Sequence, residues 1–143
     1  MSEINLGIIG GGQLGSMLAV AAKKLNIKTT VYCDDVDAPA QNFCDEFIFA
    51  GYDNKKKILE FINKVNIITY EFENIPYETL NEMNKLKSVL PKPSVNRLIQ
   101  HRLAEKDFIN KLNIRTTRYV SIEKKSDIET LEDFLPGILK TTT

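Results

Sequence analysis

The sequence predicts an α/β protein organised around a parallel sheet. Apolar runs of strand type alternate with helical patterns from residue 4 to residue 86. Three glycines, Gly10 to Gly12, separate the first apolar run from the first helix. Because parallel strands need crossover connections, the alternation predicts helices that join strands of one sheet. In such open sheets, ligands bind beyond the carboxyl ends of the strands, where the strand order reverses. The loops 10–15 and 71–74 both follow predicted strands and are expected at that edge.

Each element of the first part has a local basis. The largely apolar run Ile4–Ile9 predicts a strand, and the apolar residues Leu14, Met17, Leu18 and Val20 predict a helix that packs against the sheet. The same reasoning, applied along the chain, predicts strands at 4–9, 28–33, 47–50 and 67–70 and helices at 13–25, 54–65 and 76–86.

Capping and breaking residues set the boundaries. Asp53 can cap the second helix, and Asn74 with Pro76 marks the start of the third. Pro91 and Pro93 then interrupt the pattern, since two prolines close together resist both a helix and a central strand. We therefore predict two domains, 1–93 and 94–143, the second too short to close a sizeable core. Its predicted elements are a helix at 95–112, a strand near 118–122, a helix at 126–134 and a strand start at 138–139.

Bulk properties favour specific binding of a small molecule. The 143 residues include 19 basic and 19 acidic ones, so no broad charge favours nucleic acid or a membrane surface. No apolar run approaches the roughly 20 residues that span a bilayer, and the N-terminus lacks a signal-peptide pattern. Cys33 and Cys44 have no disulfide or metal-site spacing, which predicts reduced thiols in a cytoplasmic protein.

The glycine segment predicts an anion site. Gly10, Gly12 and Gly15 permit a tight turn and close approach of a ligand, while the N–H groups of the helix start attract a phosphate. The alternative is a strand-to-helix turn with no ligand. Asp34 and Asp35, about 20 residues further on, would suit the ribose of a dinucleotide, or else they and Asp37 are solvated turn residues before Pro39.

Two carboxylates follow the fourth predicted strand. If the extended conformation continues past Tyr70, Glu71 and Glu73 point to the same side, where mutual repulsion can raise the proton affinity of one of them. Such a pair could orient an amine or accept a proton. The alternative is that one carboxylate faces the start of the following helix while the other is solvated.

Four segments together resemble one enzyme family in order and spacing. The segments are GIIGGGQLG with Met17 to Ala19, ITYEFENIP at 68–76, Gln100 to Arg102 with Glu105 and Lys106, and Ile138 to Thr141. The pattern is similar to that of the N5-carboxyaminoimidazole ribonucleotide synthetases, the ATP-grasp ligases of purine biosynthesis. The resemblance covers essentially the whole chain and implies a Rossmann-like pre-ATP-grasp domain followed by the beginning of an ATP-grasp domain.

The resemblance also implies a reaction and a set of binding residues. ATP phosphorylates bicarbonate to carboxyphosphate, and the carboxyl group passes to the exocyclic amine of 5-aminoimidazole ribonucleotide. Arg102 and Lys140 match positions that contact ATP, and cations suit a polyphosphate. From the residues alone, a solvated arginine paired with Glu105 and a strand-end lysine in water stay open. The residues implied at the ribonucleotide are Gly12, Gln13, Leu14 and Glu73.

Two residues depart from the family pattern, so the roles that the family gives to these two positions do not carry over to this chain. Ser16 stands where a basic residue is frequent, and His101 stands where an acidic one is common, so we assign His101 no role.

The ATP-covering loop and the magnesium-binding carboxylates of the family follow the equivalent of Lys140. We therefore predict no catalytic residue and no metal ligand within the 143 residues, and no synthetase activity from them alone. Family members are commonly dimers, so a homodimer is also expected.

Three alternative functions remain at this stage. Formate-dependent glycinamide ribonucleotide transformylase has a similar glycine loop, but it usually carries glutamate where Gln13 stands and lacks the sequence YEFEN at 70–74. A nicotinamide-dependent oxidoreductase would use Asp34. A non-catalytic nucleotide-binding module would bind a ribonucleotide without turning over ATP.

Overall fold

A computed structural model describes residues 4–129 and 131–143 of the chain. The chain forms two compact units, Met1–Arg97 and Leu98–Thr143. The division that we predicted from the two prolines, after residue 93, stays a prediction.

The first unit contains a parallel sheet of four strands, which confirms the predicted fold class. The strands β1 (Asn5–Ile9), β2 (Lys28–Cys33), β3 (Glu46–Phe49) and β4 (Ile67–Tyr70) lie in the order β3-β2-β1-β4. All three neighbouring pairs are parallel. The order reverses between β1 and β4, so the loops that follow these two strands meet at the predicted ligand-binding edge.

A short stretch after the third helix extends this sheet. Ile68 donates its N–H to Ser88 O at 2.9 Å and accepts at its carbonyl from Leu90 N at 2.8 Å, which gives a parallel bridge to Val89. The sequence pattern did not predict this pairing, because three residues are too few to show a strand periodicity.

Helices cover both faces of the sheet. One core contains large side chains between the sheet and the helices α2 (Lys55–Lys64) and α3 (Tyr77–Leu86), with Phe61 and Leu80 fully buried. The other core is smaller and lies where α1 (Gln13–Lys24) and the 3₁₀ helix Pro39–Asn42 cover the sheet. Successive residues of β1 contribute to opposite faces, as the alternation of a strand requires.

The face that α1 presents to the sheet differs from our prediction. The buried residues of this helix are the small ones, whereas its large apolar side chains are exposed. Small side chains allow the helix axis to lie close to the strands, and the larger ones then have no room beneath it. The buried residues are Gly15, Ser16, Ala19 and Ala22, and the exposed ones are Leu14, Met17, Leu18 and Val20.

The helix starts also show one wrong assignment. Asn54, and not Asp53, is the N-cap of α2, and its Oδ1 accepts from Lys57 N at 3.1 Å. The α3 helix begins at Tyr77 with Pro76 at its N-cap, and no side chain caps it. Proline fits there because the first N–H groups of a helix have no partner within the helix.

The second half of the chain departs further from prediction. The predicted helix 95–112 is two helices, α4 (Pro93–Ile99) and α5 (Arg102–Lys111). They are separated at His101, whose backbone is extended and whose Nδ1 accepts from Ala104 N at 3.4 Å. A histidine that caps a helix carries no proline or glycine signal, so the sequence pattern did not reveal the break.

The remaining predicted elements of the second unit are shorter or absent. Residues 118–122 and 138–139 are irregular and pair with no strand among the described residues, and a strand without a partner is not stable in water. The predicted helix 126–134 is replaced by α6 (Lys125–Ile128) and a 3₁₀ turn at Glu132–Phe134, while residue 130 lies outside the described residues.

The helices in the described part of the chain are too short, or too polar, for any of them to cross a membrane.

The capping assignment can be checked by mutation. Asn54→Ala removes the side-chain acceptor at the start of α2 and should lower the free energy of unfolding by about 1 kcal/mol in urea titrations. Asp53→Ala is the matched control and should change it by less than about 0.5 kcal/mol. A larger loss in the Asp53 variant than in the Asn54 variant would contradict the assignment.

Candidate functional site

The register of the sheet brings two loops together at its carboxyl edge. Ile9 of β1 is paired with Tyr70 of β4, and Glu71 N donates to Ile9 O at 3.1 Å. The residue after each strand therefore lies beside its counterpart, so that Gly10 faces Glu71. The loops 10–15 and 71–74 meet at this edge, as predicted.

The carboxylate of Glu71 occupies the anion position of the glycine loop. Gly12 N donates to its Oε1 at 2.6 Å, and Gly15 N donates to its Oε2. Helix α1 has glycine at its N-cap and no acidic residue in its first turn, so it cannot satisfy these amides locally. A carboxylate is favoured at a helix N-terminus by the free N–H groups and by the helix dipole. The two loops are thus joined by charge-assisted hydrogen bonds.

Glycine is required at residue 10 by this close approach. Its φ of 98° lies in the left-handed region, and a Cβ there would be 2.5 Å from Glu71 Cγ. A Cβ at Gly15 would lie 2.7 Å from Gly10 O. The glycine pattern therefore accommodates a carboxylate of the same chain.

This geometry corrects two of our predictions. The amides of Gly12 and Gly15 already hold an anion, so these two N–H groups do not form an open phosphate site. The strand ends at Tyr70, and Glu73 lies in a turn with an exposed side chain. The extended conformation that would place Glu71 and Glu73 on the same side of one strand is therefore absent. Glu71 faces the start of the earlier helix α1, not that of the following helix, an arrangement which neither of our two alternatives included.

The two residues between the bonded amides point outward. Gln13 and Leu14 are exposed, and their backbone N–H groups make no hydrogen bond to any described residue. Ser16 is buried and donates from Oγ to Gly12 O at 2.9 Å. It therefore stabilises the loop from inside. The roles of Gly12, Gln13, Leu14 and Glu73 at a substrate stay predictions.

A buried asparagine supports the second loop. Asn96 of α4 is fully buried, and its Nδ2 donates to Ile75 O at 3.0 Å, which fixes the end of the turn that carries Glu73. Tyr70 and Phe72 pack against the larger core. The pattern of the sequence contained no signal for the role of Asn96.

The dinucleotide interpretation meets two physical obstacles here. A pyrophosphate at the start of α1 would face the Glu71 carboxylate, and like charges repel. On the β2 side, Ala40 N donates to Gly11 O at 2.9 Å, and a Cβ at Gly11 would lie 2.7 Å from Ala38 Cβ. The 3₁₀ segment therefore closes over the loop. Asp34 is exposed beside it.

A buried group of aromatic and thiol side chains lies behind this edge. Burial, together with the nearby charges of Asp53 and Asp34, raises the pKa of Tyr32 to about 12, and its hydroxyl donates to Gly51 O at 2.7 Å. Burial is also the main cause that raises the pKa of the Tyr52 phenol and of the Cys33 thiol. Both cysteines are free, as predicted, and a protonated buried thiol is a poor nucleophile.

The two predicted ATP contacts belong to the second unit. Arg102 is the first residue of α5, and its N–H donates to Thr142 O at 2.8 Å, so the segment that contains Lys140 lies beside the start of α5. Both side chains are exposed, and neither forms an ion pair with a described residue, which removes the alternative pairing of Arg102 with Glu105. Their contact with ATP stays a prediction.

The fold and this edge define a class of protein: an α/β domain whose glycine loop is closed by a carboxylate from the neighbouring strand end. The chain belongs to the ribonucleotide synthetase preATP-grasp domain family, whose model matches residues 1–100.

Similar proteins agree with this assignment. The bifunctional purine synthesis protein purC/E of Dictyostelium discoideum is 36% identical over 140 residues, which are 96% of this chain and 14% of that protein. N5-carboxyaminoimidazole ribonucleotide synthase of Staphylococcus aureus is 35% identical over 138 residues, 95% of this chain and 37% of that enzyme. The chain therefore spans about a third, or less, of the length of these relatives.

A solved structure shares the fold. The N5-carboxyaminoimidazole synthetase from Staphylococcus aureus complexed with ADP has a TM-score of 0.81 and 33% sequence identity, covering 91% of this chain and 35% of its own.

The buried tyrosine predicts a fall in stability at alkaline pH. Tyr32 has an ordinary pKa of 10.0 when unfolded and about 12 when folded, so its stabilising contribution is complete below pH 10 and is lost as the pH rises towards 12. Urea titrations between these limits should show a loss of up to about 1.4 kcal/mol per pH unit from this group.

The variant Tyr32→Phe should be less stable at neutral pH but should show a smaller alkaline loss. Tyr77→Phe, outside this cluster, should keep the dependence of the unsubstituted protein. An equal alkaline loss in the Tyr32 variant would contradict the role given to this phenol.

Proposed function

We propose that this chain is the N-terminal part of the ligase that carboxylates 5-aminoimidazole ribonucleotide with bicarbonate, using ATP, in purine biosynthesis. The observation that carries the proposal is the family match over residues 1–100. Two relatives named as N5-carboxyaminoimidazole ribonucleotide synthases align with 88% and 95% of this chain. The aligned part is only 34% and 37% of their own length. The activity belongs to the whole protein, to which this chain contributes binding surfaces.

The ribonucleotide is proposed to bind at the edge where the two loops meet. Gln13 offers an exposed amide that can both donate and accept, and Leu14 offers an apolar contact beside it. Glu73 is exposed on the second loop, where a carboxylate can accept hydrogen bonds from the substrate. Gly12 contributes shape, since its N–H already donates to Glu71.

ATP is proposed to contact the second unit through Arg102 and Lys140. Both are exposed cations carried by neighbouring segments, and a related structure is a complex with ADP. No group of three or more His, Cys, Asp or Glu side chains in the described residues could hold a metal ion. The magnesium that accompanies ATP in this family therefore does not fit the described residues.

The chemistry needs no covalent bond to this chain. Bicarbonate attacks the terminal phosphoryl group of ATP to give carboxyphosphate and ADP. The exocyclic amine then attacks the carboxyl carbon, and inorganic phosphate leaves with the electron pair of the broken C–O bond. The amine nitrogen loses one proton, which the leaving phosphate or solvent accepts. The described loops would hold the amine and ribose in place, which lowers the entropy cost of the second step.

Compartment and assembly are part of the same proposal. Two free thiols fit a reducing cytoplasm. A homodimer is proposed from the resemblance to the family.

The function can be tested on the complete gene product that contains residues 1–143. We expect ADP formation that requires both bicarbonate and 5-aminoimidazole ribonucleotide, and we expect none from residues 1–143 alone. Gln13→Ala should raise the KM for the ribonucleotide about tenfold through a lost hydrogen bond, whereas Gln41→Ala, an exposed control, should not change it. Turnover that instead requires formate and glycinamide ribonucleotide would contradict the proposal.

The nucleotide contacts have their own test. Arg102→Ala should raise the KM for ATP about tenfold or more, because hydrogen bonds between charged groups contribute about 1.5–3 kcal/mol. Arg115→Ala, which removes another exposed arginine of the second unit, is the matched control and should leave that KM unchanged. Equal effects of the two substitutions would show that general positive charge, and not Arg102, is responsible.

A further inference from the structure

We propose that Glu71 is a positioning residue for the ribonucleotide, acting through Gln13. This inference rests on the proposed function and gives Glu71 an indirect role through the glycine loop, in place of the direct contact with an amine that its spacing from Glu73 suggested. The two hydrogen bonds of its carboxylate go to Gly12 N and Gly15 N, the residues that bracket Gln13 and Leu14. One side chain thus fixes both ends of the segment that is proposed to contact the substrate.

The backbone N–H groups of this segment have few other partners. Gly12 has no side chain to cap α1, and Gln13 and Leu14 make no backbone N–H bond to the described residues. Gly10 and Gly15 leave room for the carboxylate, since a Cβ on either would lie within 3.3 Å of Glu71 atoms. The position of Gln13 therefore depends on a side chain 58 residues away in sequence, held by the pairing of β1 with β4.

Glu71 is also anchored from its own side. Its backbone N–H donates to Ile9 O at 3.1 Å, and Phe72, the next residue, packs against the core. Because the anchor is part of the sheet, a rigid element sets the loop, and such elements hold a binding geometry more accurately than loops alone. Glu73, two residues on, is exposed.

The test is a double-mutant cycle in the complete gene product. Glu71→Gln keeps the shape of the side chain but replaces one acceptor by an NH₂ group, which cannot accept from an amide. It should raise the KM for 5-aminoimidazole ribonucleotide about tenfold, with a smaller change in the KM for ATP, since small misplacements of a binding group weaken binding strongly. Glu78→Gln, an exposed carboxylate in the first turn of α3, is the matched control and should change neither value.

The coupling between the two residues distinguishes positioning from a separate contact. If Glu71 acts through Gln13, the Glu71→Gln substitution should have little further effect on the ribonucleotide KM in a Gln13→Ala background. Multiplied effects in the double variant would overturn the positioning role while leaving the proposed function intact. An unsubstituted protein without turnover of the ribonucleotide would overturn the proposed function, and this inference with it.

A control measurement distinguishes weaker binding from a loss of folding. The free energy of unfolding of each variant is measured in urea before the kinetics. If Glu71→Gln does not fold, Glu71→Asp replaces it, because the shorter side chain keeps the charge but cannot reach both amides. An unchanged ribonucleotide KM in a folded Glu71→Asp variant would also overturn the role.

Discussion

The hydrogen bonds from Gly12 and Gly15 to the Glu71 carboxylate join the two loops on which the candidate site depends. They cap α1, which has no capping side chain of its own, and they connect the ends of β1 and β4 at the point where the strand order reverses. The need for glycine at residue 10, the outward direction of Gln13 and the separation of Glu71 from Glu73 all follow from this contact. An anion-binding motif is thereby satisfied from within the chain.

The close packing of α1 is the second constraint. Ala19 and Ala22 let the helix approach the sheet, and the 3₁₀ segment around Ala38 and Ala40 closes over Gly11. The space in which a dinucleotide would lie on a similar glycine loop is therefore filled by protein atoms on one side and by a negative charge on the other. The neighbours of this loop therefore oppose a dinucleotide, although its glycine pattern alone would suit one.

The sequence allowed the four strands and the meeting of the two loops to be predicted, since apolar runs and parallel topology depend on local pattern and general geometry. It did not allow the partner of the glycine amides to be predicted, because Glu71 reaches them through strand pairing. The face of α1 was also misjudged, since a large apolar residue predicts burial only where there is room. Residues 118–122 and 138–139 have strand-like composition, but a strand forms only beside a partner.

The most direct measurement of the central contact is amide hydrogen exchange of Gly12 and Gly15 in the ligand-free protein. Gly12 is half-buried and Gly15 is buried, and the Glu71 carboxylate is the acceptor of both amides, so weakening this acceptor should speed their exchange. The structure predicts slow exchange of both amides in the unsubstituted protein. In Glu71→Gln their exchange should become at least about tenfold faster, while the exchange of the Ile68 amide in the sheet stays unchanged. Rapid exchange of both amides in the unsubstituted protein would contradict it, because the carboxylate could not then be holding the loop.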